Sequence, residues 1–200
     1  MIIIKNLTKK YKKNTIFENL NYKFENGVYQ IIGKNGRGKS VFLRMITQVE
    51  KPTAGNVIND QDDLPTLYLA NTGIGLPFMS INDNIQLSAK ILNIPIEEKE
   101  YAKIFDNEEE LLRSPYESSS LGNQMKVGLS LLFSEAKFGL IVLDEALNGL
   151  DETSKSQILK QLKKLSENTT IMIVSHNNIF NKDEIKYFSL DDTLGDNFDR

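Results

Sequence analysis

Residues 33–40 read Gly33-Lys34-Asn35-Gly36-Arg37-Gly38-Lys39-Ser40, which fits the pattern G-x-x-x-x-G-K-[ST]. An apolar run at residues 28–32 precedes this stretch, and residues 41–46 follow it with apolar side chains at helical spacing. In the order strand, glycine loop, helix, the glycines let successive backbone N–H groups point inward at the N-terminus of the helix, where they meet phosphate. The stretch therefore predicts a phosphate-binding loop of a nucleotide site.

Individual residues of this loop have different predicted roles in binding the nucleotide. Lys39 adds a positive charge for the β- and γ-phosphates, and Ser40 offers a hydroxyl to Mg²⁺. The alternative is a glycine-rich turn that happens to carry a Lys-Ser pair, and the flanking strand and helix disfavour it. The predicted nucleotide contacts are Gly33, Asn35, Gly36, Arg37, Gly38, Lys39, Ser40 and Val41.

The composition limits the class of protein. The chain has 200 residues, 40% of them hydrophobic, which suffices for one core with a smaller subdomain. A net charge of −3 gives no reason to expect direct contact with nucleic acid. There is no cysteine, which excludes disulfides and thiol chemistry. The lack of cysteine is compatible with a reducing cytoplasm, where we expect the protein. The aliphatic runs are too short to span a bilayer, so any membrane role must come through a partner.

The hydrophobic pattern predicts an α/β fold, a mostly parallel sheet flanked by helices. Short apolar runs alternate with segments of helical spacing, and a helical insertion occupies the middle of the chain. The predicted strands are residues 2–4, 22–24, 28–32, 56–59, 66–69, 138–143, 171–174 and 187–190, and the predicted helices are residues 41–46, 81–92, 97–112, 122–133 and 153–165.

Two carboxylates, Asp144 and Glu145, end the apolar run at residues 140–143. A buried parallel strand would place Asp144 at its carboxyl end beside the phosphate loop, where it can hold Mg²⁺. Glu145, one residue further, can face the attacking water as a general base. A strand terminated by solvated acids is the alternative, and the phosphate loop favours the catalytic interpretation.

With these motifs in place, nearly the whole chain resembles the nucleotide-binding domain of ABC-type ATPases. Residues 146–151 are similar to the D-loop of that family, which implies a nucleotide contact for Asp151. Residues 120–124 read Ser-Leu-Gly-Asn-Gln and fall where the family has its L-S-G-G-Q signature. Here Ser120 keeps the serine and Gly122 the second glycine, which implies that both bind the γ-phosphate of ATP held by a second subunit. An ordinary serine-capped helix is the alternative.

Aromatic and imidazole groups extend the resemblance. Tyr11 is similar to the aromatic residue that stacks on adenine in the family, although Phe17 and Tyr22 are competing candidates. His176 is the only histidine and follows the predicted strand at residues 171–174. The family has its H-loop histidine there, which implies a catalytic contact with the γ-phosphate.

The resemblance also implies an arrangement of subdomains. We expect one P-loop NTPase domain over residues 1–200, with an N-terminal antiparallel β-subdomain. The core and β-subdomain are expected at residues 1–75 and 138–200, and a helical signature subdomain at residues 76–137. Asn71 stands where the family has the Q-loop glutamine that reaches Mg²⁺, and its amide is one carbon–carbon bond shorter.

By this resemblance we expect an ATP-binding and ATP-hydrolysing subunit of an ABC transporter, using ATP and Mg²⁺. Ser-Leu-Gly followed by Lys126 is similar to the signature variant of antibiotic and lantibiotic exporters, which favours export. The expected partners are a transmembrane permease, which holds the chain at the inner face of the membrane, and a second copy or a related ATPase. Each ATP would lie between Lys39 of one subunit and Ser120 of the other.

Other functions stay open at this point. A haem-exporter ATPase is the second candidate among transporters. A non-transport ABC ATPase, such as one of Fe–S assembly, is also possible because it is a single soluble domain. A module that only binds ATP is disfavoured by Glu145 and His176.

Overall fold

Residues 1–175 and 184–191 are described in a computed structural model of the chain, and their contacts divide them into two units. The sheet unit comprises residues 1–68 and 138–144 with the described residues from 166 onward, and the helical unit comprises residues 69–137 and 145–165. Within this described part of the chain, no helix is both long enough and apolar enough to cross a membrane.

The described strands are β1 Ile2–Tyr11, β2 Asn14–Phe24, β3 Gly27–Ile32, β4 Ala54–Asn59, β5 Thr66–Ala70, β6 Leu140–Asp144, β7 Thr170–Val174 and β8 Lys186–Ser189. The described α-helices are α1 Lys39–Ile46, α2 Ile81–Ile91, α3 Glu98–Tyr101, α4 Glu109–Arg113, α5 Leu121–Ser130 and α6 Glu152–Leu165. The predicted α/β fold is confirmed.

A five-stranded sheet has the order β5-β6-β7-β3-β8. The pairs β6–β7, β7–β3 and β3–β8 are parallel. Every residue of β6 and β7 is buried, as expected for continuous apolar runs in a parallel sheet. Since parallel strands share a carboxyl edge, the loop after β3 and Asp144 at the end of β6 emerge at the same edge of this sheet.

A second sheet, with the order β2-β1-β4, is antiparallel. Its strands are longer than the short runs predicted at residues 2–4 and 22–24, and that prediction was wrong in length. Asn6 and Asn19 have φ values of 50° and 52°, and the β1–β2 pairing shifts between Ile4 and Leu7. Asparagine tolerates the left-handed region, so it forms irregularities within strands that continue well beyond the short apolar runs.

An aromatic cluster fills the core of the sheet unit beside α1. The ring centroid of Phe188 lies 4.9 Å from that of Phe24 and 5.4 Å from that of Phe42. Phe42 is completely buried, and burying a side chain of this size contributes about 1.5–3 kcal/mol. This packing fixes α1, and with it the loop that precedes the helix.

The helical unit departs from the prediction in its middle. The continuous helix predicted at residues 97–112 is broken into α3, a 3-10 turn at Ala102–Phe105 and α4. Asp106 and Asn107 interrupt it with φ values of 55° and 58°, which no α-helix accommodates. The helix predicted at residues 122–133 is α5 followed by a 3-10 turn.

Candidate nucleotide site

Gly38 determines the backbone conformation at the end of the loop between β3 and α1. It is the N-cap of α1 with a φ of 94°, and its carbonyl accepts a hydrogen bond from the Phe42 N–H at 2.8 Å. A Cβ atom at Gly38 would lie 2.6 Å from Cγ2 of Ile16 and 3.2 Å from Cζ of Phe17. The backbone conformation and the close approach of β2 therefore both require glycine at this position.

Lys39, the first residue of α1, curls over the loop. Its Nζ donates to the carbonyl oxygen of Gly33 at 2.8 Å and to that of Lys34 at 3.3 Å. The ammonium is thus held by the loop beside the N-terminus of α1, where unpaired N–H groups add further positive potential. This concentration of positive charge fits the binding of a polyphosphate.

Arg37 contacts its own chain. Its Nη1 donates to the carbonyl of Ile16 at 2.9 Å, its Nε lies 3.5 Å from Oδ1 of Asp191, and its N–H donates to the carbonyl of Lys34 at 3.1 Å. The Lys34 N–H donates to the other oxygen of Asp191 at 3.1 Å. Asp191 thus braces the loop from more than 150 residues away, which no local sequence signal could reveal.

Ser40 and Asp144 are the candidate Mg²⁺ ligands of the sheet unit. Ser40 lies in the first turn of α1, and Asp144 is the last residue of β6, 8% exposed. Mg²⁺ binds hydroxyl and carboxylate oxygens, and it commonly has one or two protein ligands together with phosphate oxygens. One hydroxyl and one carboxylate therefore fit Mg²⁺ brought with a nucleotide. Among the described residues, no group of three or more His, Cys, Asp or Glu side chains could hold a metal ion.

Tyr68, on β5, interacts with the Asp144 carboxylate. Burial raises the pKa of the Tyr68 phenol above its ordinary value, and the negative charge of Asp144 raises it further.

Tyr11, the predicted adenine-stacking residue, is the last residue of β1 and is 42% exposed. Its hydroxyl donates to Glu50, and Nζ of Lys9 lies 4.9 Å from the centroid of its ring. Glu50 also accepts from Nζ of Lys9 at 2.7 Å and from Nε of Arg44 at 3.0 Å. These partners, Lys9 foremost, lower the pKa of Glu50 to about 2. Glu50 therefore fixes the position of the Tyr11 ring, a part the sequence analysis missed.

Glu50 is expected to make the free energy of unfolding decrease at low pH. Because its pKa is lowered from 4.5 to about 2 on folding, its contribution is fully present above pH 4.5 and is lost as the pH falls through 2. The contribution is about 2–3 kcal/mol at neutral pH. Urea unfolding should therefore show a difference between the wild type and Glu50→Gln that is largest at pH 7 and shrinks by pH 3. Glu18→Gln, which breaks an exposed pair with Lys10, should change stability by at most about 1 kcal/mol at each pH.

Gly38 and Gly36 offer a matched pair for testing the loop. Gly36 has a φ of 76°, but a Cβ there would meet no atom within 4 Å. Gly36→Ala should therefore cost only the left-handed backbone penalty, about 1–2 kcal/mol. Gly38→Ala adds overpacking against Ile16 and should be less stable than Gly36→Ala by about 1–3 kcal/mol in urea unfolding. Equal stabilities of the two variants would contradict the close approach of the loop to β2.

The helical unit holds the remaining predicted residues except His176. Asn71 is exposed and follows β5 directly. Glu145 is half-buried with a φ of 60°, an unusual value for a residue with a side chain, and strain of this kind concentrates at functional sites. Ser120 is the N-cap of α5, and its hydroxyl accepts from the Asn123 N–H at 3.2 Å.

Gly122 and Asp151 lie together in the helical unit. A Cβ at Gly122 would lie 2.8 Å from the carbonyl oxygen of Gly149, so α5 rests closely on the segment at residues 146–151. Asp151 bonds to Lys126 and Ser154. His176 lies outside the described residues.

A family model described as ABC transporter matches residues 17–148. The chain belongs to the ABC transporter family. The chain is 32% identical to a bacitracin transport ATP-binding protein of Enterococcus faecalis, over 88% of this chain and 61% of that protein. It is 30% identical to a lantibiotic transport ATP-binding protein of Streptococcus pyogenes, over 88% of this chain and 80% of that protein. It is 27% identical to an Fe(3+) ions import ATP-binding protein of Vibrio cholerae, over 96% of this chain and 57% of that protein.

Solved structures of ABC ATP-binding proteins share the fold. A Pyrococcus furiosus protein described as an ABC transporter ATP-binding protein superposes with a TM-score of 0.77 at 23% identity, over 96% of this chain and 98% of that one. A dimeric ATP-binding cassette in a post-hydrolysis state with ADP and Pi gives a TM-score of 0.72 at 23% identity, over 95% of each chain. The chain spans about half to three-fifths of the length of several curated relatives.

Proposed function

We propose that this chain binds and hydrolyses ATP and thereby powers an ABC transporter whose membrane-spanning part is a separate polypeptide. The observation that carries the proposal is the Lys39 ammonium held across the loop at the start of α1, with Asp144 at the same edge of the sheet. Family membership adds support, because the relatives that the chain matches include ATP-binding proteins.

The proposed reaction is in-line attack of water on the γ-phosphate, which breaks the bond to the bridging oxygen and releases ADP. Lys39 stabilises the charge on the phosphate oxygens, and Glu145 orients the water and takes its proton. His176 is proposed to contact the γ-phosphate. Mg²⁺, held by Ser40 and Asp144, would neutralise negative charge on the phosphates.

We further propose that two copies, or one copy and a related ATPase, form a head-to-tail dimer. Ser120, exposed at the N-terminus of α5, would meet the γ-phosphate of the ATP bound by Lys39 of the other subunit. The contact closes into a two-fold dimer because each chain provides both surfaces.

Export is the direction we favour. The relatives at 30% identity or more include ATP-binding proteins for bacitracin and lantibiotic transport, while the iron import protein is at 27%. The Ser120-Leu121-Gly122 form of the signature is consistent with that choice.

The permease is proposed to dock on exposed apolar side chains that follow Asn71. Ile74, Leu76 and Phe78 lie on a short segment before α2, and Phe78 is 88% exposed. This docking would hold the chain at the inner face of the membrane.

Affinity purification from detergent-solubilised membranes tests the proposal. We expect an integral membrane protein to co-purify with the wild type and to be lost with Phe78→Ser, while Val49→Ser, which changes another exposed apolar side chain, retains it. The purified assembly should hydrolyse ATP. Recovery of a soluble scaffold instead would overturn transport and favour a function such as Fe–S assembly.

A further inference from the structure

Lys126 is a buried charge in the helical unit. It lies on α5, is 5% exposed, and its Nζ is 2.8 Å from Oδ2 of Asp151. The ring centroid of Phe105 lies 5.8 Å from the same ammonium. A buried lysine is stable only with a partner, and Asp151 provides it.

Asp151 joins two helices. Its Oδ1 accepts from the Ser154 N–H at 2.8 Å, and its Oδ2 accepts from the Ser154 hydroxyl at 2.8 Å in addition to Lys126. The Lys155 N–H donates to the Asp151 carbonyl at 3.0 Å, so Asp151 caps α6. The Lys126 ammonium and the Ser154 donors hold the pKa of the Asp151 carboxyl well below its usual range.

A second contact joins the same elements. Gly122 precedes Lys126 by four residues, so the two share a face of α5. A Cβ at Gly122 would lie 2.8 Å from the Gly149 carbonyl oxygen. One face of α5 therefore rests on residues 149–151 at two points, and Ser120 lies at the end of that helix.

We infer that the Lys126–Asp151 ion pair is a positioning device that holds Ser120 and residues 149–151 as one rigid surface toward the second subunit. The inference rests on the proposed function, because it concerns the dimer proposed there. In this inference the Asp151 side chain binds Lys126 and Ser154 of its own chain, in place of the nucleotide contact that the family resemblance implies. Lys126 and Asp151 are positioning residues, since they act on ATP only through Ser120.

Variants that remove one charge of the ion pair, and variants that keep it, distinguish a role in positioning Ser120 from a general role in folding. Lys126→Met keeps the buried stem and removes the ammonium, and it leaves the Asp151 carboxylate, whose side chain is 49% exposed, solvated and still capping α6. Asp151→Asn keeps an oxygen for the cap and removes the charge. Lys126→Arg restores a cation. Lys103→Met is the matched control, because it removes an ammonium from the same unit at an exposed position. The Nζ atom of Lys103 lies 4.9 Å from the ring centroid of Phe133, so this ammonium also contacts an aromatic ring.

The experiment measures ATP-dependent dimerisation in the Glu145→Gln background by analytical ultracentrifugation, with ATP affinity measured on the monomer. We expect Lys126→Met and Asp151→Asn each to weaken dimerisation by about 10-fold or more, equivalent to about 1.4 kcal/mol, with ATP affinity within about twofold of the reference. The double variant should be no worse than either single one, because both remove one interaction. Lys126→Arg keeps a cation at this position and should dimerise nearly as well as the Glu145→Gln reference. Lys103→Met should dimerise as well as that reference.

Amide hydrogen exchange in the monomer provides a readout that does not need the dimer. Lys126→Met should speed exchange in residues 121–124 and 148–151, relative to Lys103→Met. Unchanged exchange would overturn the inference whatever the dimer does, and faster exchange with unchanged dimerisation would overturn the positioning role. If the Glu145→Gln reference itself fails to dimerise with ATP, the proposed dimer is wrong, and the exchange data still decide whether the pair holds the surface.

Discussion

Replacing Glu145 with glutamine is expected to lower steady-state ATP hydrolysis by about 100-fold to 10,000-fold, the range of general-base catalysis. Glutamine keeps the length and shape of the side chain but cannot accept a proton from water at neutral pH. The phosphate loop, Lys39 and Asp144 are untouched by the substitution. ATP should therefore still bind, and the trapped ATP should favour the dimer.

Three measurements on this variant check the expectation: phosphate release, retention of radiolabelled ATP, and sedimentation with and without ATP. Glu167→Gln is the control, since Glu167 is an exposed carboxylate in the turn after α6. Its turnover should equal that of the wild type. Normal hydrolysis by Glu145→Gln would remove Glu145 from the reaction, and loss of ATP binding would show that the substitution damages the fold instead.

Glu145 has a left-handed backbone conformation, and the substitution must preserve it. A non-glycine residue there costs about 1–2 kcal/mol, and the Asn148 N–H donates to the Glu145 carbonyl at 3.1 Å in the tight turn that follows. Glycine would adopt this conformation with less strain. Glutamine has the same backbone requirements as glutamate, so Glu145→Gln should leave this turn unchanged and remove only the carboxylate.

The elements that sequence predicted well are those whose signal is local. The loop at residues 33–40 requires a strand before it and a helix after it, and β3 and α1 are there. The buried strands β6 and β7 are continuous apolar runs, so their identity needed no knowledge of distant residues, although β6 begins at Leu140 rather than Phe138.

The residues that sequence could not predict act over long distances. Glu50 contacts Tyr11 and Lys9 across about 40 residues, and Asp191 contacts Arg37 across more than 150. Each is an ordinary charged residue in its local sequence, and only the folded chain gives it a partner. The same holds for Lys126, whose burial was invisible because charged residues in helices are usually solvated.

Lys39→Met is expected to weaken ATP binding by about 100-fold, because hydrogen bonds to charged groups contribute about 1.5–3 kcal/mol each. Methionine keeps most of the apolar stem and removes the ammonium that donates to the carbonyls of Gly33 and Lys34. The measurement is titration with a fluorescent ATP analogue, with urea unfolding to show that the fold is kept. Lys23→Met, on an exposed part of β2, should bind ATP like the wild type.

The dependence on phosphate number makes this test specific to the role of Lys39. An ammonium that acts on the β- and γ-phosphates should matter for ATP and much less for AMP, so AMP affinity should change by at most about twofold. An equal loss for both nucleotides would mean that the substitution distorts the loop as a whole. An unchanged ATP affinity would mean that the backbone N–H groups at the start of α1 bind the phosphates without Lys39, and that its contacts with Gly33 and Lys34 serve only to fold the loop.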